Sequence, residues 1–460
     1  MSDITWNNLP SVILYEIFSY LPPQDILSAS STCKLWRIGL HHPKLGRSIN
    51  FKLLNNNSQS FLRTQFLSEM YGHKVKVANI SFDSIDIPCV EKMEAVVAAL
   101  SNSFNLEEIH FKSSYCNLVC PGTDCESGIP VLEKKIIKNI QNVIMNSRAL
   151  KKLNFGCNED LTLHLGSFLE LLAKHQADSI ETLGLASVKD DFNDYILPDV
   201  DISYFASFPN LQVLSVDYDY MSDDLLNALN KTSGLKRLIV NVHGIVENHP
   251  GTTNSAWATF TEHNSKCELS MNLIHAYDAV EELHSGFLQP AMPLTHLRVF
   301  FCELLNVSAI TELSYFQNTL RTLWWVDSFN SPQADLLIEP IDREVPGQAE
   351  LNVNPFVIAA WRCFKLTELV VYGYKMLADD VVAISRLRHT LEVFNIAESD
   401  ILFFPLTQIP LQDVEKEITQ NIGHSWSSIR DSQLHSVILN PTHGESDEFI
   451  IPIVSKDLQL

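Results

Sequence analysis

A chain of 460 residues is several times the usual domain length, which calls for more than one domain or a repeat array. Its 46% apolar and 19% charged residues exclude wholesale disorder. With 33 basic against 55 acidic residues the formal net charge is −22, and no local basic stripe offsets it, so no nucleic-acid partner is expected. The acid excess reads as solubility or, more sharply, as a preference for a basic partner.

Met1-Ser2-Asp3 leads to Trp6 with no basic leader, and no uninterrupted apolar run approaches spanning length. The expectation is a cytoplasmic or nuclear protein with no membrane partner. Its nine scattered cysteines are then free thiols rather than disulfides.

The first elements lie in LPSVILYEIFSYLPPQDILSASSTCKLWR, residues 9–37. Pro10 suits a first helical turn. Leu9, Ile13, Ile17 and Leu21 follow at steps of four, with Leu14 and Phe18 as a neighbouring row. Pro22-Pro23 ends this helix. Asp25 is placed to cap a second carrying Ile26, Leu27 and Ala29, and Cys33, Trp36 and Leu40 mark a third. Two apolar rows exceed what one small core needs, so one row is expected to knit the helices together and the other to dock outside.

The order Leu9-Pro10, Ile13-Leu14, Ile17-Phe18, Tyr20-Leu21, Asp25, Leu27, Cys33, Trp36-Arg37 closely resembles an F-box over its whole length. Val12 departs from the pattern, which usually has an acidic residue there, at a cost in helix-dipole stabilisation. The resemblance implies docking to the Skp-type adaptor of a cullin-RING ubiquitin ligase. Carried over by position, it assigns adaptor contact to Leu9, Pro10, Ile13, Leu14, Ile17, Leu21, Asp25 and Trp36.

Beyond residue 70 a phrase with apolar residues at i, i+3 and i+5 recurs. Its copies start at Val77, Leu106, Leu150, Ile180, Leu211, Leu235, Leu294, Leu320, Leu366, Leu391 and, weakly, Leu434. Starts in the twenties apart carry the leucine-rich-repeat signature: a short strand, a return helix, and the next strand in parallel. MSDDLLNAL and LADDVVAIS read as return helices, with Asp223 and Asp379 near their starts. The expected fold is therefore α/β. A three-helix F-box at 1–48 precedes an irregular solenoid at 49–440, with parallel strands on the concave face and helices on the convex face. Insertions fall near 112–135, 241–268 and 328–356, and a tail occupies 441–460. An F-box followed by such repeats resembles the substrate receptors of SCF ubiquitin ligases. LVVYGYKM and ITQNIGHSWSSI narrow the likeness towards the F-box only proteins.

In the phrase, residues i+2, i+4 and i+6 face the concave side. The last large copies bring Arg298, Phe300, Trp324, Val326, Val370 and Tyr372 together there, aromatics with an arginine, the composition of a binding hot spot. They are the candidate substrate contacts, unless the 328–356 segment or the tail from Phe404 covers them. Cys116, Cys120 and Cys125, with His110 upstream, supply four zinc donors but not the spacing of a common finger, so a reduced loop without metal is expected. No catalytic motif is present, and no cofactor is expected. The function expected is a non-catalytic receptor that holds a substrate protein for ubiquitination and proteasomal degradation. The alternatives are a scaffold that binds adaptor and partner without turnover, or a receptor gated by a small anion at Arg298 and His296.

Overall fold

The computed structural model describes residues 6, 9–21, 23–39, 47–54, 58–122, 130–232, 234–246, 249–331, 338, 341–343, 351–403 and 410–458. Two compact units make up the chain. The first is Met1–Ser113, Leu118–Asn154 and Glu170–Ile180; the second is Ser114–Asn117, Phe155–Leu169 and Glu181–Leu460.

The first unit opens with three short helices, α1 (Ser11–Ser19), α2 (Pro23–Ser30) and α3 (Lys34–Gly39). Strands β1 (Ser48–Leu53), β2 (Val77–Phe82), β3 (Glu108–Ser113) and β4 (Lys152–Asn154) follow, each parallel to the one before. Helices Ser58–Tyr71, Ile87–Leu100 and Val131–Asn146 return the chain between them. Helix Ile87–Leu100 starts where the Asp86 carboxylate accepts from the Cys89 N–H, and it buries Val90, Met93, Val97 and Leu100 on one face.

In the second unit the parallel sheet comprises β5 (Thr182–Gly184), β6 (Val213–Asp217), β7 (Arg237–Val242), β8 (Glu268–Ile274), β9 (Leu294–Phe300) and β10 (Thr322–Val326). A small antiparallel pair, β11 (Ile341–Arg343) and β12 (Leu351–Val353), stands in the 328–356 insertion, most of which lies outside the described residues. The sheet continues with β13 (Glu368–Tyr372), next to β10. After β14 (Met376–Leu377) comes β15 (Val393–Ile396), next to β13; β16 (Ile401–Leu402) pairs with β14. Return helices Asp223–Leu229, Asn254–His263 and Val307–Glu312 are capped by the side chains of Ser222, Thr253 and Asn306. The two return helices expected from MSDDLLNAL and LADDVVAIS are Asp223–Leu229 and Ala378–Leu387. The chain is thus an α/β protein with N-terminal F-box-like helices and solenoid-like parallel strands.

The register corrects three expectations. Ala78 pairs with Ile109 and Ile80 with Phe111, so the first phrase begins at Val75, not Val77. The 241–268 interval is not an insertion, since helix Asn254–His263 leads into β8. The weak copy at Leu434 is no strand, because Ser436–Leu439 is helical. The tail at 441–460 includes helix Ser446–Val454, with Ile450, Ile451 and Val454 buried.

Gly39 shows how closely the F-box helices meet. A Cβ added there would lie 2.9 Å from Cε2 of the buried Phe18 ring. Gly39→Ala is therefore expected to destabilise the three helices by about 1–3 kcal/mol, the usual cost of overpacking. Hydrogen exchange of the helical amides would show it, and unchanged protection would contradict the packing.

Candidate functional site

The two rows of α1 separate in space. Leu14, 1% exposed, and Phe18 turn inward. Phe18 stands edge-on to Trp36 with centroids 5.7 Å apart, and the Trp36 indole N–H donates to the Trp6 carbonyl at 2.9 Å. Ile13, 47% exposed, points out, with Val12, Tyr20 and Ile38 also exposed. Pro10 and Asp25 are exposed, while Leu9, Ile17, Leu21 and Trp36 are half-buried. Leu14 is thus removed from the adaptor-contact set, because its side chain is spent on the helices' own core. The opening stretch carries both rows that its periodicity implies.

The six concave-face residues do come together in the second unit. Across β9, β10 and β13, Arg298 aligns with Trp324 and Val370, and Phe300 with Val326 and Tyr372. They are not an open surface. Helix Ser446–Val454 lies against them, and Ile450, Ile451 and Val454 share one buried cluster with Phe300, Val326, Val370 and Tyr372. Phe449 meets Phe300 and Phe301 edge-on, at 6.1 and 6.0 Å between centroids.

Beyond this helix, the Asp457 carboxylate accepts from Arg298 at 2.5 and 3.2 Å. Arg298 also donates to Asn272 Oδ1 at 3.1 Å, and Arg237 donates to the Asp457 carbonyl at 2.7 Å. Arg298 is 6% exposed and Trp324 half-buried. Of the two expectations for these residues, the tail's cover is the one found, and the candidate substrate contacts form a core. Burying Phe, Val and Tyr side chains contributes about 1.5–3 kcal/mol each, and the chain's own C-terminal segment supplies the cover. His296 stands beside Arg298 in a buried setting that pushes its imidazole down to about 4, so it offers an anion no second charge at neutral pH.

A cleft of about 300 Å³ opens beside this cover. One wall is aromatic: Phe192 stacks on His275 at 4.4 Å and 11°, Phe301 lies 5.6 Å from the same imidazole, and Tyr277 stands edge-on to Phe192 at 5.6 Å. His275 and Phe301 leave their strands with φ of 51° and 53°, and Glu303 follows with 56°. Such left-handed backbone in non-glycine residues persists only where its surroundings impose it. His275 N–H donates to the Phe300 carbonyl, Phe301 N–H to that of Val326, and Glu303 N–H to the Asp327 carboxylate. Burial pushes the His275 imidazole down to about 4, so it is neutral at neutral pH, and its Nε2 lies 2.9 Å from the Ser446 hydroxyl.

Five carboxylates also line the cleft. Asp190, Glu303 and Glu445 are exposed at the rim; Asp447 and Asp327 are buried. The one lining ammonium, Lys189, is turned to Asp217 at 3.2 Å and Glu159 at 3.7 Å.

Burial pushes the thiols of Cys157, Cys267 and Cys363 up to about 12. Of the proposed zinc donors, Cys116 is buried, Cys120 is half-buried and Cys125 lies outside the described residues. Among the described residues no cluster of three or more His, Cys, Asp or Glu side chains is placed to hold a metal. No described helix is long and apolar enough to cross a membrane.

Comparison with known proteins adds the following. The F-box-like family matches residues 6–52. Human F-box only protein 33 is 25% identical over 489 residues, spanning 94% of this chain and 85% of that protein. Mouse F-box/LRR-repeat protein 21 is 23% identical over 439 residues, spanning 92% of this chain and 89% of that protein. Among solved structures, an internalin of Listeria monocytogenes covers 91% of this chain and 93% of its own at 11% identity, with a TM-score of 0.30. The architecture rests on the sheet itself and not on that likeness.

Proposed function

We propose that this chain, which carries an F-box-like domain and is a homologue of F-box only protein 33 and F-box/LRR-repeat protein 21, is the substrate-recognition subunit of an SCF-type ubiquitin ligase. The F-box docks to a Skp-type adaptor through Leu9, Pro10, Ile13, Ile17, Leu21 and Asp25, with Trp36 bracing the helices behind them. The repeats hold a substrate protein. The chemistry is proximity: the receptor raises the effective concentration of a substrate lysine near the charged ubiquitin carrier, and no residue of this chain need react. On this reading the protein works in the cytoplasm or nucleus.

The observation that carries the proposal is the outward row of α1. Val12, Ile13 and Tyr20, with Ile38 of α3, expose large apolar side chains on an F-box-like domain that already has Leu14 and Phe18 for its own core. Ile13→Ala/Ile17→Ala is expected to abolish adaptor capture in affinity purification while leaving the helices folded. Leu14→Ala is expected to lose capture by unfolding them, at about 2–5 kcal/mol. With a cullin-activation inhibitor present, a further partner should accumulate on the intact chain. If the Ile13→Ala/Ile17→Ala variant still captures the adaptor, the docking face is wrong. If adaptor binds and no partner is stabilised, the protein is a scaffold without turnover.

A further inference from the structure

We propose that the cleft beside the C-terminal helix is a recognition pocket for one cationic side chain, the guanidinium or ammonium of a basic residue in a partner peptide. The inference deepens the receptor reading and rests on it for the identity of the partner as a protein. Four observations in the second unit carry it.

The first is charge. Glu303 and Glu445 at the rim have no ion-pair partner among the described residues, and Asp190 shares one oxygen with the Asn117 amide at 3.2 Å. Lys189 does not neutralise them, since it is held by Asp217 and Glu159. The cleft therefore presents negative potential to solvent, in line with the formal net charge of −22.

The second is the aromatic lining of Phe192, Tyr277 and Phe301, ring types that attract a weakly hydrated cation. The His275 imidazole beside them is neutral and does not repel one. The third is an unmet hydrogen-bonding need. Ser328 is 4% exposed and lines the cleft, yet its hydroxyl has no partner among the described residues. The Ser331 hydroxyl lacks one as well. Buried polar atoms are seldom left unpaired unless a ligand or water serves them, and a cation with several N–H donors would serve both. The fourth is size. About 300 Å³ is at the lower end for ligand clefts, room for one long side chain and not for a helix or an extended segment.

Calorimetric titration of the full-length chain with the capped peptide Ac-Ser-Gly-Arg-Gly-Ser-NH2 tests this, beside its citrulline counterpart and spermidine. The arginine peptide is expected to bind saturably, and the citrulline peptide, of equal shape without charge, to show no saturation. Glu303→Gln/Glu445→Gln should weaken binding on the order of tenfold or more. Both residues are exposed, so the melting temperature should stay at the wild-type value. Ser328→Ala should weaken binding by a smaller factor. Equal binding of the citrulline peptide, unaltered affinity in the double variant, or no saturation by the arginine peptide would each overturn the pocket. Tighter binding of spermidine than of the peptide would overturn the peptide as its occupant. Adaptor capture, read on the same preparations, keeps the two readings apart: its loss sinks the ligase role and leaves the titration standing.

Discussion

Asp457→Ala is expected to lower the stability of the second unit by about 3–5 kcal/mol, far more than a substitution one residue before the last described one would suggest. The side chains of Arg298 and Asp457 are 7% and 11% exposed, and the carboxylate takes two hydrogen bonds from the guanidinium. Removing it leaves a cation buried among Asn272, Trp324 and the C-terminal helix, with only the amide oxygen of Asn272 as a partner in place of a charge. Arg298 Nε already lacks a partner among the described residues, so the guanidinium has no slack.

Replacing both groups, as in Arg298→Met/Asp457→Leu, should restore most of the loss, because two desolvation costs vanish with the attraction. Chemical denaturation of the two single variants and the double closes the cycle. A single-variant loss below about 1 kcal/mol would mean that the pair behaves as a solvated surface bridge and that the C-terminal segment is only loosely seated. The expected loss would instead mark that segment as part of the repeat core.

Much of this was legible in the sequence, and the places where it was not have specific causes. Phrases led by leucine or isoleucine, the weak copy at Leu434 apart, fall on strands, since an apolar residue at i anchors the turn before each strand. The two strands that were missed lack that residue. β8 has Lys266 at the position equivalent to Leu235, with Leu269 and Met271 keeping the pattern behind it. β1 carries Ile49 and Phe51 in the pattern, and the sequence has Gly46 three residues before Ile49. The alternation alone, period two without its leading anchor, would have found both.

Arg298, Phe300, Trp324, Val326, Val370 and Tyr372 are neighbours across adjacent strands, as the phrase spacing implies. A cover by the tail is one of the readings the sequence offers; which segment covers the patch is not legible, because the tail's own pattern, apolar at Ile450, Ile451 and Val454, says only that it must pack somewhere. The cleft escaped notice for a related reason. Asp190 with Phe192, His275, Glu303 and Ser328 follow the ends of different strands, and Glu445 comes from the start of the C-terminal helix, so no sequence pattern joins them. In α1, by contrast, both rows were visible, and only three-dimensional packing could say that the Leu14 row is the inner one.

The second large effect belongs to Lys189. Its ammonium is 1% exposed and stands 3.2 Å from Asp217, itself 2% exposed, and 4.8 Å over the Tyr195 ring. Burial alone would raise the Asp217 carboxyl. The Lys189 charge outweighs it, helped by His243 at 3.8 Å and by Ser187, whose N–H and hydroxyl donate at 2.8 and 2.7 Å. Asp217 is thereby held well below the ordinary carboxylate range. Burial likewise favours a neutral Lys189, but Asp217 and Glu159 hold it above its ordinary value.

The sign follows from these directions. A depressed carboxyl contributes stability that is fully present above the unfolded value of about 3.9, and it is lost only as pH falls through the lower folded value. The pair persists at the alkaline end until Lys189 loses its proton above the ordinary lysine value of about 10.4. Lys189→Met removes the ammonium and keeps the apolar stem. Burial then acts on Asp217 with Asp219 and Glu159 adding like charge, and only His243 and the two Ser187 donors oppose it, so its folded value should rise.

The variant should therefore lose about 3–5 kcal/mol at pH 7. It should also gain stability as pH falls towards about 4, where the wild type gains nothing from this carboxyl. Adding Asp217→Asn to Lys189→Met should recover most of the loss and remove the added pH slope. Denaturation midpoints at several pH values between 4 and 8 read all three. A Lys189→Met deficit that is small, or that stays constant across that range, would show that Asp217 does not depend on the ammonium for its charge.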